Sequence, residues 1–230
     1  MTSAVVRQGL IRHGPTLGLA GVGVAIAASL VTAIAYSGPD DEPYSPLNHT
    51  VSELGERGVS ELAPLFNVAL LAGGLLIALY LLSLALRATA HDRAGFGFGL
   101  LGTAAGIAMA LVGLFPVDDL EPHIAVAAVA FGLIFVASLW FAVWRLRGAA
   151  PYPRWLGIFA LVIAIVVVVF LFLPGLLRPE YRFEMDFTEE LPRPRLLWNS
   201  ALEWLVISLV WLWIAGRGLY DRGHMNGGQP

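Results

Sequence analysis

Glu203 makes the strongest chemical demand in this sequence. It follows Asn199 and Ser200 inside the last apolar run, roughly 10 Å below its end at 1.5 Å per residue. Asn199 and Glu203 are four residues apart, so on a helix they share a face. A carboxyl group in hydrocarbon must be paired or protonated, which makes such a residue a functional candidate by default. A second set lies in Tyr44-Ser45-Pro46-Leu47-Asn48-His49-Thr50-Val51-Ser52-Glu53-Leu54-Gly55. There His49, Ser52 and Glu53 can give or take protons. Ser52 or Thr50 is placed to cap a short helix with Glu53 in its first turn, and Gly55 or Gly58 to end it. Asn67 follows at the head of the second apolar run. A third set is the acidic turn Phe115-Pro116-Val117-Asp118-Asp119-Leu120-Glu121-Pro122-His123. His49, Asp118, Asp119 and His123 are weak candidates for holding a divalent cation through oxygen and imidazole, because no strict ligand spacing is present.

These groups must be positioned by helices in a membrane. The chain has 230 residues, of which 57% are hydrophobic and 13% charged, and its mean hydropathy is +0.73. Soluble domains carry about 25% charged residues. The composition excludes a soluble enzyme and a nucleic-acid binder. Six transmembrane helices are expected at about 15–36, 62–86, 95–115, 122–144, 154–174 and 197–217, each long enough for a hydrocarbon core of about 30 Å. The expected fold is thus an all-α integral membrane protein, a six-helix bundle forming one domain over 1–222, with a disordered tail at 223–230. The first run is too long for a typical signal-peptide core and reads as an uncleaved anchor.

Charge sets the expected orientation. Arg7, Arg12, Arg87, Arg93, Arg145, Arg147, Arg154, Arg217 and Arg222 fall on the side of the termini, where the only acids are Asp92 and Asp221. Arg57, Arg178, Arg182, Arg193 and Arg195 fall on the other side among nearly all the acids. The positive-inside rule puts both termini in the cytoplasm and the acidic loops outside. An all-arginine basic set points to a prokaryotic plasma membrane. The absence of cysteine and lysine excludes thiolate sites, disulfides, Schiff-base chemistry and a P-loop.

Gly14 and Gly18, then Gly95, Gly99, Gly102 and Gly106, repeat at GxxxG spacing. They fit close packing within the chain, or a homodimer or membrane-protein partner through spans one and three. Trp140, Trp144 and Trp155 fall near one interface and Trp198 near the other. In the 175–196 loop, Phe183, Met185 and Phe187 alternate with Arg182, Glu184 and Asp186, the period of an extended segment or lid. By depth, His49, Ser52, Glu53, Asn67, Asp118, His123, Asn199 and Glu203 are expected to line one outward cavity. The cytoplasmic side looks poor in chemistry: His13, His91 and His224 stand isolated.

The motifs Ser45-Pro46, Val51-Ser52-Glu53-Leu54-Gly55, Phe66-Asn67 leading to Gly73-Gly74, and Gly113-Leu114-Phe115-Pro116 with His123 resemble the prokaryotic domain-of-unknown-function 998 membrane family. The chain is faintly similar to the Frag1/DRAM/Sfk1 family, whose association with lipid organisation implies lipid handling. The expected function is binding of a membrane lipid or membrane partner in an outward polar cavity, with no cofactor and no nucleic acid. The alternatives are a metal-assisted lipid hydrolase or transferase, or a proton-coupled transporter using Glu203. No GxSxG or HExxH motif argues for the enzyme.

Overall fold

The structure is a computed structural model that describes residues 2–38, 42–88, 92–177 and 193–226. Six helices follow in chain order: α1 (Thr2–Ile34), α2 (Ala63–Arg87), α3 (Arg93–Val112), α4 (Leu120–Leu146), α5 (Arg154–Leu177) and α6 (Trp198–Asn226). A 3₁₀ turn at Ser52–Gly55 lies between α1 and α2. All six helices are long and apolar enough to cross a membrane.

Each helix packs on its neighbours in chain order, and α6 returns to α1. The bundle is therefore a closed ring, with the 3₁₀ turn leaning on α1 and α2 at one end. That end, which also carries the α3–α4 turn, is termed the loop end. The other is the termini end.

Small residues set the spacing of the first three helices. A Cβ on Gly21 would meet the Gly73 carbonyl of α2 at 2.7 Å. One on Gly74 would meet the Ala110 backbone N of α3 at 2.7 Å, and one on Gly106 would meet Ala78 Cα at 2.9 Å. Gly14 and Gly18 face Ser83 and Tyr80, while Gly99 and Gly102 face Ala85 and Leu81. Apart from Gly95, which meets the α3 cap Asp92, the GxxxG glycines of α1 and α3 thus seat α2 within the same chain. Lipid gives no hydrophobic drive between helices, so this close approach supplies dispersion contact instead.

Helix ends follow local chemistry. Asp92 caps α3 by accepting the Gly95 N–H at 2.9 Å. Pro64 sits in the first turn of α2, where a missing N–H costs nothing. The Ser52–Gly55 turn departs from expectation: its cap is Val51, with no side-chain capping bond. Glu53 instead reaches back to accept the Thr50 N–H at 2.7 Å, the return half of a capping box.

Two helices, α1 and α6, run far beyond the spans the sequence led us to expect, and α4 and α5 exceed theirs by a few residues. α1 starts at Thr2 and runs through Pro15. A proline cannot donate to the carbonyl four residues back, which here is Ile11. Arg87 Nη2 donates to that Ile11 carbonyl at 2.9 Å and replaces the missing bond. α6 runs to Asn226, so residues 223–226 are helical and not a disordered tail. Its last turns are tied down by Asp221, described below. The Trp belt is also partial, since Trp140, Trp155 and Trp198 are exposed but Trp144 is buried. The alternating segment at Phe183–Phe187 and His91 lie outside the described residues.

Candidate functional site: a central cavity with a polar end

The ring encloses a cavity of about 120 Å³ lined by residues of all six helices. Its walls are mostly apolar, including Ala28, Leu70, Gly74, Ala105, Ile134, Ile163 and Ile207. From Glu203 to Ile214 the α6 wall is about 16 Å long at 1.5 Å per residue. At the termini end Phe98, Phe141 and Trp213 interlock, with ring centroids 4.9 to 5.8 Å apart. At the loop end the cavity meets Val51, Ser52, Asn67, Pro116, Val117, His123 and Glu203.

Ser52 is the meeting point of three elements. Its Oγ donates to Glu203 Oε1 on α6 at 3.4 Å and lies 3.1 Å from His123 Nε2 on α4. His123 Nδ1 lies 2.8 Å from the Phe115 carbonyl, so Nδ1 carries the proton and Nε2 presents its lone pair to Ser52. Glu203 Oε2 accepts the Val51 N–H at 3.2 Å. Asn67 Nδ2 donates to the Gly55 carbonyl at 2.8 Å and keeps a second hydrogen for another partner. Two helices thus clamp the residue that begins the 3₁₀ turn.

The other candidates form separate groups. Arg193 spans two carboxylates, with Nε 3.1 Å from Glu42 Oε1 and Nη2 2.9 Å from Glu53 Oε2. Its Nη1 donates to the Asn48 carbonyl at 2.7 Å. Buried His49 lies 3.2 Å from Glu42 through Nε2. Tyr44 packs tilted on His49 at 5.1 Å, donates to the Thr50 carbonyl at 2.8 Å and accepts the Trp204 indole N–H at 2.8 Å. Burial holds the Tyr44 hydroxyl well above its ordinary range, against the opposing Trp204 bond. Burial likewise raises Tyr36, and the charge of Glu53 adds to it. This network fastens the loop to the segment before α6, where Leu197 N–H also donates to the Leu47 carbonyl at 2.8 Å.

Asp118 is held at the surface by Arg57, whose Nε donates to Oδ2 at 2.8 Å. Burial pushes its carboxyl up, but the side-chain and backbone bonds from Arg57 outweigh that and hold it below the usual range. Asn199 borders a different recess with Pro174, Pro194 and Leu197. The expected single cavity is therefore corrected: Ser52, Asn67, His123 and Glu203 share it, whereas His49, Glu53, Asp118 and Asn199 do not line it. The physical reason is that depth in the membrane says nothing of azimuth around the ring. Nor do His49, Asp118, Asp119 and His123 converge. Among the described residues no three His, Cys, Asp or Glu side chains are grouped to hold a metal.

Two features escaped the sequence reading. The first is Ser29, whose buried hydroxyl lines the cavity with no hydrogen-bond partner. The second is a buried ionic cluster at the termini end, expected to be poor in chemistry. Asp221 there accepts from Arg217 Nε at 3.1 Å and from the Tyr80 hydroxyl at 2.8 Å. Arg87 Nη1 approaches the same carboxylate to 3.7 Å, and Arg217 stacks over the Tyr152 ring at 3.7 Å. Arg217 and Asp221 are four apart, a visible signal for a paired helix face.

A ring of six apolar helices around a lined cavity defines a multi-pass membrane protein. The sequence matches the family described as "protein of unknown function (DUF998)" over residues 18–220, and the chain belongs to that family. No curated protein and no solved structure matches it.

Proposed function

We propose that the protein binds one chain of a membrane amphiphile in its central cavity, with the head group beside Ser52, His123 and Glu203. The observation that carries this reading is the cavity's polarity: mostly apolar walls from all six helices, with its titratable side chains, His123 and Glu203, and its one amide, Asn67, at the loop end. The unpartnered Ser29 hydroxyl inside it supports a bound group, because a buried hydroxyl without a partner costs about 1–3 kcal/mol. At about 120 Å³ the space is near that of an engineered cavity that takes benzene, so it suits a short segment of one chain and not two chains. Among the described residues no arginine lines it, and the chain has no lysine, so a phosphate or free carboxylate would be desolvated without a cation. A neutral head group that donates and accepts hydrogen bonds fits better.

The positive-inside rule favours cytoplasmic termini, with the loop end facing outward across a prokaryotic plasma membrane. The glycines that would serve a homodimer are occupied within the chain, which favours a lipid over a second copy as partner.

The test is lipid analysis of the full chain purified in nanodiscs. The expected result is a bound single-chain or neutral amphiphile, lost from Ala105→Phe, which fills the cavity wall. Equal retention by that variant, with its fold intact, overturns the reading.

A further inference from the structure

We propose that Ser52 is a nucleophile and His123 its general base, and that the protein cleaves the ester of a single-chain amphiphile whose acyl chain lies in the central cavity. This rests on the cavity reading above and adds turnover to it. Three observations carry it. Ser52 Oγ is 3.1 Å from His123 Nε2, within reach of proton transfer. The Phe115 carbonyl fixes the other ring nitrogen at 2.8 Å, so the neutral ring turns its Nε2 lone pair to the hydroxyl, whose single hydrogen rotates to it from the longer 3.4 Å contact with Glu203 Oε1. Both side chains line the polar end of a cavity whose remaining walls suit a chain. Nucleophile, base and a third group that orients the base is the arrangement that nucleophilic catalysis requires. Here the third group is a backbone carbonyl instead of a carboxylate.

The reaction balances without a cofactor. Ser52 Oγ bonds to the ester carbonyl carbon while His123 Nε2 takes the hydroxyl proton, and the carbonyl π pair moves onto oxygen. The intermediate collapses, the bond to the alcohol oxygen breaks, and His123 returns its proton to that oxygen. Water then attacks the acyl-Ser52 ester, again giving a proton to His123. The fatty acid leaves, and Ser52 Oγ takes the proton back from His123. Asn67, with one amide hydrogen free of the Gly55 bond, is the side chain available to the developing oxyanion. Glu203 acts as a positioning residue, since it holds the Val51 N–H at 3.2 Å and so aims the neighbouring serine.

A neutral alkyl fluorophosphonate ester and its unreactive, uncharged phosphonate diester analogue test this on the full chain in nanodiscs. The expected result is a covalent adduct mapped by mass spectrometry to Ser52. It is absent from Ser52→Ala and formed at least about 100-fold more slowly by His123→Gln, the loss expected for a general base. Both variants should keep the thermal unfolding midpoint of the unmodified protein, which a structural role for the pair would not predict. Binding of the analogue to the unmodified protein with no adduct on Ser52 overturns the nucleophile and leaves the cavity reading standing. No binding of the analogue at all overturns both. An adduct formed equally fast by His123→Gln removes His123 as base.

Discussion

Glu53 is 4% exposed and Glu42 33%, and one guanidinium joins them. Removing that cation leaves a buried carboxylate unpaired, which costs about 3–5 kcal/mol. Arg193→Gln should therefore lower unfolding stability by about 3 kcal/mol, read in a denaturant titration in detergent, and Glu53→Gln added to it should restore part of the loss. The Arg57–Asp118 pair gives a pH dependence of known sign. Its folded carboxyl is held low, so its contribution is present above the ordinary carboxylate range and is lost as pH falls through the lowered value. Protection of the Arg57 amide, which donates to Asp118 Oδ1 at 3.3 Å, measured relative to its intrinsic exchange rate at each pH, should fall in that acid window and stay flat near neutral pH. Both groups are partly exposed, so high salt should reduce the effect.

At the scale of elements, the α2–α3 seam is decided by backbone proximity. Gly74→Ala puts a methyl 2.7 Å from the Ala110 backbone N, and neither backbone can retreat cheaply. Gly132 on α4 has nothing within 4 Å of an added Cβ. Thermal unfolding should show Gly74→Ala destabilised, while Gly132→Ala stays level or gains up to about 1 kcal/mol from helix propensity. Arg87→Ala tests the unusual passage through Pro15, since it strips the Ile11 carbonyl of its substitute donor. Amide exchange in the first turns of α1 should accelerate.

These elements also mark how far the sequence could be read. Six spans were legible because length and hydropathy depend on the segment alone. The start of α1 was not, because the guanidinium that offsets Pro15 comes from another helix. Ser52, His123 and Glu203 were each visible as unusual residue types. Their convergence was not, because it depends on how the ring closes. The Arg217–Asp221 spacing was in plain view, but its meaning depends on burial and on Tyr80 and Arg87 arriving from α2.

For the whole molecule, the governing feature is that α6 packs back on α1. The chain ends then sit on adjacent helices at one end of the bundle, and the α1–α6 contact is one seam among six. Nothing in the ring privileges the present starting point. Joining Asn226 to Thr2 with a short flexible linker and reopening the chain at exposed Gly148 (φ 79°), between α4 and α5, leaves every helix contact in place. The new ends stay on the original side, so the parity of membrane crossings is conserved. Such a circular permutant should insert, fold and keep its cavity, although α5 would now leave the ribosome first.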